Sequence, residues 1–207
     1  MSADASSLYR LATIHRDGTT MAVVERGGAM LGIAQLLQLP EPFASLDPVI
    51  ADWPAMQGRI EAALATAGDQ FDRSGFAAAG VRFASPLATP GSFICIGANY
   101  HDHVAEMPVP MNPTYPYAFL KPVRNTLRAS GETVPKPREV ARMDWEAELG
   151  VVIGTTCRNV SEADALGVIA GYVNFNDLSA RDWIASRPAI GIDWVRHKGY
   201  DGFAPMG

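Results

Sequence analysis

The chain of 207 residues carries a net charge of −5, with 48% hydrophobic and 19% charged residues, a composition typical of one large or two small globular domains. This acidic balance and the lack of a basic cluster argue against nucleic acids and anionic membranes as partners, because both bind through basic surfaces. No apolar run approaches the ~20 residues that span a bilayer, and the N-terminus lacks a secretory signal pattern. We therefore expect a cytoplasmic protein whose two cysteines, Cys95 and Cys157, are reduced.

The first part of the chain predicts short strands followed by a helix. Residues 9–34 alternate apolar stretches with the pairs Asp17-Gly18 and Gly27-Gly28, which are typical of hairpin turns. Residues 53–67 have a helical composition and are followed by Gly68, a common residue at helix ends. Two prolines within residues 80–93 indicate a linker. We therefore divide the chain into a small N-terminal domain, residues 1–85, and a second unit, residues 86–207.

The second unit is predicted to contain strands joined by loops. Residues 93–100, "FICIGANY", predict a buried strand that ends in a turn, and the proline-rich residues 107–119 predict an ordered loop or lid. Further on, Ser161 is the expected N-cap of a short helix. The alternating stretch "YVNFND" predicts a strand that ends at Asp177. Ser179 is the candidate cap of one more helical turn.

Acidic and apolar residues alternate where the central strand begins, in "ARMDWEAELGVVIG" (141–154). Residues two apart in a strand share a face, so Asp144, Glu146 and Glu148 are expected on one side. Such a face is more often solvated than functional, and the other interpretation is a site for a hard cation. Asp177, at the end of another strand, would complete a set of three carboxylates. Without cysteine or histidine ligands, that set suits Mg²⁺, Mn²⁺ or Ca²⁺ better than Zn²⁺.

A histidine and a glutamate are placed three positions apart in "ANYHDHVAEM". On a helical turn, His103 and Glu106 share a face, and a carboxylate that orients an imidazole makes it a competent general base for water. The alternative is a solvated pair on an exposed turn. His101 would point elsewhere, and we expect it to be peripheral.

Cationic side chains are the third candidate group. In "RHKGYDGFAP", Lys198 and Asp201 lie beside glycines, an arrangement that suits either an anionic substrate or a surface ion pair that contributes less than ~1 kcal/mol. Lys121 and Arg181 are further candidates for binding substrate. A carboxylate triad, a basic dyad and a cation together indicate metal-assisted chemistry on a keto acid.

Five motifs resemble the fumarylacetoacetate hydrolase superfamily, in the family's order. They are "IGANYHDHVAEM", "FLKP", "DWEAELGVVIG", "GYVNFNDLSARDW" and "KGYDGFAPMG". The resemblance implies an α+β, β-rich fold, in which a mixed β-roll catalytic domain follows a small β-containing N-terminal domain. Catalytic domains of this family continue beyond "FAPMG" through further strands, so we expect a chain that is truncated at its C-terminal end, with a sheet edge left open.

The resemblance also implies roles for individual residues. Glu146, Glu148 and Asp177 would bind Mg²⁺ or Mn²⁺. His103 and Glu106 would activate water, and Lys198 would stabilise negative charge that develops on the substrate. Lys121, Arg181 and Asp201 remain candidates for substrate contacts.

The function that the resemblance implies is hydrolysis of a C–C bond in an acylpyruvate-like β-diketo acid. Decarboxylation of oxaloacetate and keto-enol isomerisation would use the same metal chelate. A different class of function is an inactive fragment that binds a metal or a partner. Because members of the family commonly dimerise, a homodimer is expected.

Overall fold

A computed structural model describes residues 8–107, 113–186, 189 and 191–207. The predicted α+β, β-rich fold is confirmed: the first part of the chain forms a five-stranded sheet with helices, and the second forms four two-stranded ladders. Residues 108–112 of the predicted loop or lid lie outside the described residues. The division into residues 1–85 and 86–207 stays a prediction. No helix in the described part of the chain is both long and apolar enough to cross a membrane.

The N-terminal sheet has the strand order β4-β3-β2-β1-β5 and is antiparallel throughout. Its strands are β1 (Arg10–Arg16), β2 (Thr19–Arg26), β3 (Ala29–Gly32), β4 (Phe76–Ala77) and β5 (Arg82–Phe83). The two predicted hairpins are present, and all four turn residues, Asp17-Gly18 and Gly27-Gly28, have positive φ. A two-residue turn of this kind matches the twist of the strands it joins.

Four helices connect β3 to β4: α1 (Ile33–Leu36), α2 (Asp47–Ala51), α3 (Trp53–Thr66) and α4 (Gln70–Ser74). The predicted helix is α3, which buries Trp53, Met56, Ile60 and Leu64 against the sheet. Their spacing of three and four residues places them on one face of the helix. The chain leaves α3 through Gly68, whose φ is +52°.

The second part of the chain forms short strands and helices. Its strands are β6 (Ile94–Gly97), β7 (Tyr117–Leu120), β8 (Leu127–Arg128), β9 (Met143–Asp144), β10 (Ala147–Ile153), β11 (Ile169–Asn176), β12 (Ser179–Ala180) and β13 (Ala204–Pro205). Its helices are α5 (His101–Glu106), α6 (Val123–Thr126), α7 (Arg181–Ala185), α8 (Trp194–Lys198) and the 3₁₀ helix Glu162–Val168. The ladders are β6–β7, β10–β11 and β9–β12, which are antiparallel, and β8–β13, which is parallel.

Two capping predictions have different outcomes. The Ser161 hydroxyl accepts a hydrogen bond from the backbone N–H of Asp164, so the predicted N-cap is present, although the helix that follows is a 3₁₀ helix. The prediction for Ser179 was wrong. Ser179 is buried in β12, where its hydroxyl donates to the carbonyl of Asp177, and Ala180 is the residue that precedes α7.

The strand predicted over residues 141–154 is interrupted, because residues 145 and 146 separate β9 from β10. Its apolar side is not the buried one: Leu149, Val151, Ile153 and Tyr172 are all about half exposed on the outer face of the β10–β11 ladder. Glu148 and the buried Phe175 are register partners on the inner face. The acidic side of the strand therefore faces the interior of the second part of the chain.

The register of the β10–β11 ladder brings distant acidic residues together. Ala147 pairs with Asn176, and one step further the backbone N–H of Asp177 donates to the carbonyl of Glu146 at 2.9 Å. Residues opposite each other in an antiparallel pair have Cβ atoms about 5 Å apart. The ladder therefore places Asp177 next to Glu146 although Asp177 comes 31 positions later in the sequence.

Candidate metal centre

Three carboxylates meet on the inner side of the β10–β11 ladder. One oxygen from each of Glu146, Glu148 and Asp177 lies within 4.8 Å of the others. Asp177 is almost fully buried, whereas both glutamates are partly exposed. A group of acidic oxygens at this spacing has the donors that hard divalent cations prefer.

Two lysines bind the Asp177 carboxylate, one at each oxygen. The Lys121 ammonium donates to Oδ1 at 2.5 Å, and the Lys198 ammonium donates to Oδ2 at 2.7 Å. Burial by itself would raise the pKa of Asp177, but the two ammonium groups outweigh burial and hold that pKa below its ordinary value. Asp177 is therefore ionised, and its two oxygens have fixed directions.

The Glu146 carboxylate is also paired with protein cations. Its Oε2 accepts from the Lys198 ammonium at 2.6 Å, and its Oε1 accepts from Arg181 Nη2 at 2.5 Å. Arg181 also donates from Nε to Asp144 at 2.8 Å. Asp144, which the strand pattern placed beside the two glutamates, is therefore held by Arg181 and is not part of the triad.

Glu148 differs from the other two members of the triad. Within the part of the chain that the structure describes, its carboxylate has no hydrogen bond and no ion pair. Burial, followed by the nearby charges of Asp177 and Glu146, raises the pKa of Glu148 to about 7. A divalent cation would supply the positive charge that this carboxylate lacks, so the residues present fit a hard metal ion.

We expect metal binding to release protons near neutral pH. Below a pKa of about 7, Glu148 is mostly protonated in the metal-free protein, and a cation must displace that proton. The apparent affinity for Mn²⁺ should fall about tenfold from pH 8 to pH 6. Calorimetric titrations in buffers of different ionisation enthalpy count the protons released at pH 6.5, with a titration at pH 8.5 as control. Equal proton release, or none, at both pH values would contradict this assignment.

The predicted dyad lies on α5. His103 is partly buried and Glu106 is exposed, and no hydrogen bond between the two side chains occurs among the described residues. The start of α5 is held beside the acidic strand, because the Tyr100 hydroxyl accepts from the backbone N–H of Leu149 at 3.3 Å. The role of the dyad in activating water stays a prediction.

The predicted substrate-binding residues lie in three different surroundings. Lys121 is buried, and its ammonium is occupied by Asp177 and by the carbonyl of Leu178 at 3.1 Å. Arg181 is half-buried and bridges two carboxylates. Asp201 is exposed and accepts from the amide of Asn125 at 2.8 Å. Lys198, the cation predicted to stabilise charge on the substrate, is buried as well, and the substrate contacts predicted for Lys121, Arg181 and Asp201 stay predictions.

One buried group at the site was not singled out from the sequence. The His197 Nδ1 donates to the carbonyl of Ala180 at 2.8 Å, and its Nε2 is buried without a partner among the described residues. Burial lowers the pKa of His197 to about 4, so the imidazole is neutral. The burial of His197 could not be predicted from the sequence, because the residues around it form no pattern that distinguishes a buried imidazole from an exposed one.

Comparison with known proteins identifies relatives of the part of the chain that carries this site. The sequence model of the family described as "Fumarylacetoacetate (FAA) hydrolase C-terminal" matches residues 92–207. A 2,4-didehydro-3-deoxy-L-rhamnonate hydrolase from Sphingomonas sp. (strain SKA58) is 42% identical over 126 residues, which are 61% of this chain and 42% of the relative.

Solved structures resemble almost the whole chain. A fumarylacetoacetate hydrolase from Exiguobacterium antarcticum matches with a TM-score of 0.70 and 25% identity, over 97% of this chain and 65% of that chain. A maleylpyruvate hydrolase from Sphingobium sp. SYK-6, solved with manganese(II) and pyruvate, matches with a TM-score of 0.69 and 28% identity, over 96% and 65% of the two chains. The chain thus spans about two thirds of the length of these structures and about two fifths of the curated relative.

Proposed function

Because the chain belongs to the fumarylacetoacetate hydrolase family, we propose that it binds a divalent metal ion through its carboxylate triad and hydrolyses a C–C bond in an acylpyruvate-like β-diketo acid. The observation that carries this proposal is the convergence of Glu146, Glu148 and Asp177 within 4.8 Å, with Glu148 unpaired among the described residues. The structural neighbour solved with manganese(II) and pyruvate supports both the metal and the keto-acid class.

The proposed metal is Mg²⁺ or Mn²⁺, held by one oxygen from each member of the triad. Bound there, the ion would polarise the carbonyl groups of the keto acid and stabilise the negative charge that develops on it. Lys121 donates a hydrogen bond to Asp177 and Arg181 donates one to Glu146, and these contacts orient the two carboxylates. In this proposal the protein supplies three carboxylates for the metal, and Glu148 is the one whose charge the metal would neutralise.

The remaining steps belong to the dyad and to Lys198. One imidazole nitrogen of His103 accepts a proton from the attacking water, and Glu106 accepts a hydrogen bond from the other nitrogen. Attack on the carbonyl furthest from the carboxylate breaks the adjacent C–C bond, and its electron pair moves onto pyruvate as the enolate. The Lys198 ammonium donates a hydrogen bond to that enolate, and protonation of its carbon completes the products, pyruvate and a carboxylic acid.

The test is turnover of acetylpyruvate and of oxaloacetate by the 207-residue chain with Mg²⁺ or Mn²⁺, beside samples with EDTA. We expect metal-dependent formation of pyruvate and acetate from acetylpyruvate. Loss of oxaloacetate alone would replace the proposal with a decarboxylase. A chain that binds Mn²⁺ and turns over neither substrate would support the inactive, metal-binding alternative.

The position of the metal can be tested separately, because the chain has only three lysines, at positions 121, 136 and 198. In protein labelled with ¹³C at lysine Cε, substoichiometric Mn²⁺ should broaden the signals of Lys121 and Lys198. The signal of the exposed Lys136 is the internal control and should remain sharp. Equal broadening of all three signals would remove the support for a metal at the triad.

Substituting Lys198→Met should lower kcat at least tenfold with a smaller change in KM, because a cation that stabilises the enolate acts mainly in the transition state. Steady-state kinetics with acetylpyruvate measure both constants. Lys136→Met is the matched control, since it removes an exposed lysine. A change confined to KM would instead assign Lys198 to uniform binding of the substrate.

A further inference from the structure

Two of the three lysines in the chain are placed at the acidic triad, and they differ in what they contact. The Lys198 ammonium lies between Asp177 Oδ2 and Glu146 Oε2, at 2.7 and 2.6 Å. It therefore contacts two members of the triad at once. Among the described residues, the Lys121 ammonium donates hydrogen bonds to Asp177 Oδ1 and to the carbonyl of Leu178, and to no other member of the triad.

The Lys121 side chain is enclosed completely, with an exposed fraction of 0%. It directly follows β7, and its backbone N–H donates to the carbonyl of Phe93 at 3.1 Å. Its ammonium lies 5.9 Å from the centre of the Phe175 ring. Burying a charge in such surroundings is costly unless it is paired. The ion pair with Asp177 therefore accounts for a lysine at this buried position.

The directions of the two Asp177 oxygens follow from these contacts. Oδ2 is on the side of Glu146, because one ammonium touches both groups, and Oδ1 is turned towards Lys121. The second hydrogen bond of Lys121, to the carbonyl of Leu178, fixes the ammonium relative to the backbone just after Asp177. Rotation of the carboxylate about its terminal torsion would break the bond to Lys121.

We propose that Lys121 is a positioning residue, which holds Oδ1 of Asp177 by a hydrogen bond and so fixes the orientation of the carboxylate that would bind the metal. This inference rests on the proposed function, because it takes the triad as a metal site. It also replaces the substrate contact expected for Lys121. Groups that hold a metal ligand in place through hydrogen bonds typically change metal affinity 10–100-fold when they are removed.

Whether removal of Lys121 weakens or tightens metal binding distinguishes a positioning residue from a nearby positive charge. If Lys121 acted only as a nearby positive charge, its removal would leave a more negative site and would tighten metal binding. If it positions Asp177, its removal leaves a buried carboxylate without a partner, which turns away or takes up a proton, and metal binding weakens. Weaker binding is therefore the signature of the proposed role.

The experiment measures the dissociation constant of Mn²⁺ by electron paramagnetic resonance for the 207-residue chain, for Lys121→Met and for the exposed control Lys136→Met. We expect Lys121→Met to bind Mn²⁺ at least tenfold more weakly and Lys136→Met to match the unsubstituted chain. Unchanged or tighter binding by a folded Lys121→Met overturns the inference. Absence of Mn²⁺ binding by the unsubstituted chain would instead overturn the proposed function.

Two further variants keep the test decisive. In an Asp177→Asn background, adding Lys121→Met should change Mn²⁺ affinity by less than about twofold, because the group it positions is gone; additive losses would overturn the inference. If circular dichroism shows that Lys121→Met does not fold, Lys121→Arg decides, since it keeps the charge but not the geometry. Weaker Mn²⁺ binding by Lys121→Arg supports positioning, and binding equal to that of the unsubstituted chain overturns it.

Discussion

Replacing Glu148 by glutamine is expected to abolish binding of Mg²⁺ and Mn²⁺, with a loss of affinity of at least about a hundredfold. The other two carboxylates of the triad are already paired with protein cations, Asp177 with two lysines and Glu146 with Lys198 and Arg181. Glu148 therefore supplies the negative charge that remains free to attract a metal. A neutral amide of the same shape removes that charge and leaves the packing in place.

The loss should not come from unfolding. In the metal-free protein, burial and two neighbouring carboxylates raise the pKa of Glu148 to about 7, above its ordinary value. A carboxyl group whose pKa is higher in the folded than in the unfolded state destabilises the folded state as pH rises from the unfolded to the folded pKa. At pH 8 the Glu148 carboxylate is ionised, so it opposes folding. With EDTA present, Glu148→Gln should therefore melt at the same temperature as the unsubstituted chain, or higher, at that pH.

Titration of Mn²⁺ followed by calorimetry measures the affinity, and thermal unfolding measures the stability. Glu41→Gln is the matched control, because Glu41 is an exposed glutamate of the N-terminal part of the chain. Its affinity for Mn²⁺ should equal that of the unsubstituted chain. Binding of Mn²⁺ by Glu148→Gln at the original affinity would exclude Glu148 as a ligand.

The second large effect is expected for His103→Ala, which should slow hydrolysis of acetylpyruvate about a hundredfold or more and leave Mn²⁺ affinity unchanged. The imidazole makes no hydrogen bond to the triad among the described residues, so its removal leaves the metal ligands and their counter-ions in place. Without the base, water attacks only in its neutral form, and the barrier of that step rises.

Steady-state kinetics and Mn²⁺ titration of the same preparation separate the two effects. His101→Ala is the matched control, since it removes an exposed histidine from the same helix, α5, and should keep full activity. Decarboxylation of oxaloacetate does not need water attack, so any such activity should survive His103→Ala. Equal losses in the His101 and His103 variants would show damage to α5 and would argue against a specific base.

Local patterns were sufficient for several elements of this protein. The hairpins at Asp17-Gly18 and Gly27-Gly28 and the helix α3 follow from turn residues and helical composition, which depend on neighbours a few positions away. The strand that ends next to Asp177 was visible from its alternation of apolar and polar residues. Glu146 and Glu148 were named from their alternation along one strand, and Asp177 from its position at the end of another.

The contacts within the site required the tertiary structure. Asp144 shares the alternation of Glu146 and Glu148, yet Arg181, 37 residues away, removes it from the triad. Lys121 reaches Asp177 across 56 residues. Which cation meets which carboxylate depends on how β7 and α8 pack around the β10–β11 ladder, and no local pattern encodes that packing.

The sequence by itself determined the residue types of the site and the alternation that presents them on one face of a strand. It did not determine which face is buried, because the pleat of a strand is the same whichever side meets the core. The tertiary structure turned the acidic face inward and left Leu149 and Val151 about half exposed. Burying a carboxylate is costly unless a counter-ion is nearby. Asp177 and Glu146 have such counter-ions, two lysines for the first and a lysine and an arginine for the second. Glu148 is the member of the triad without a counter-ion among the described residues.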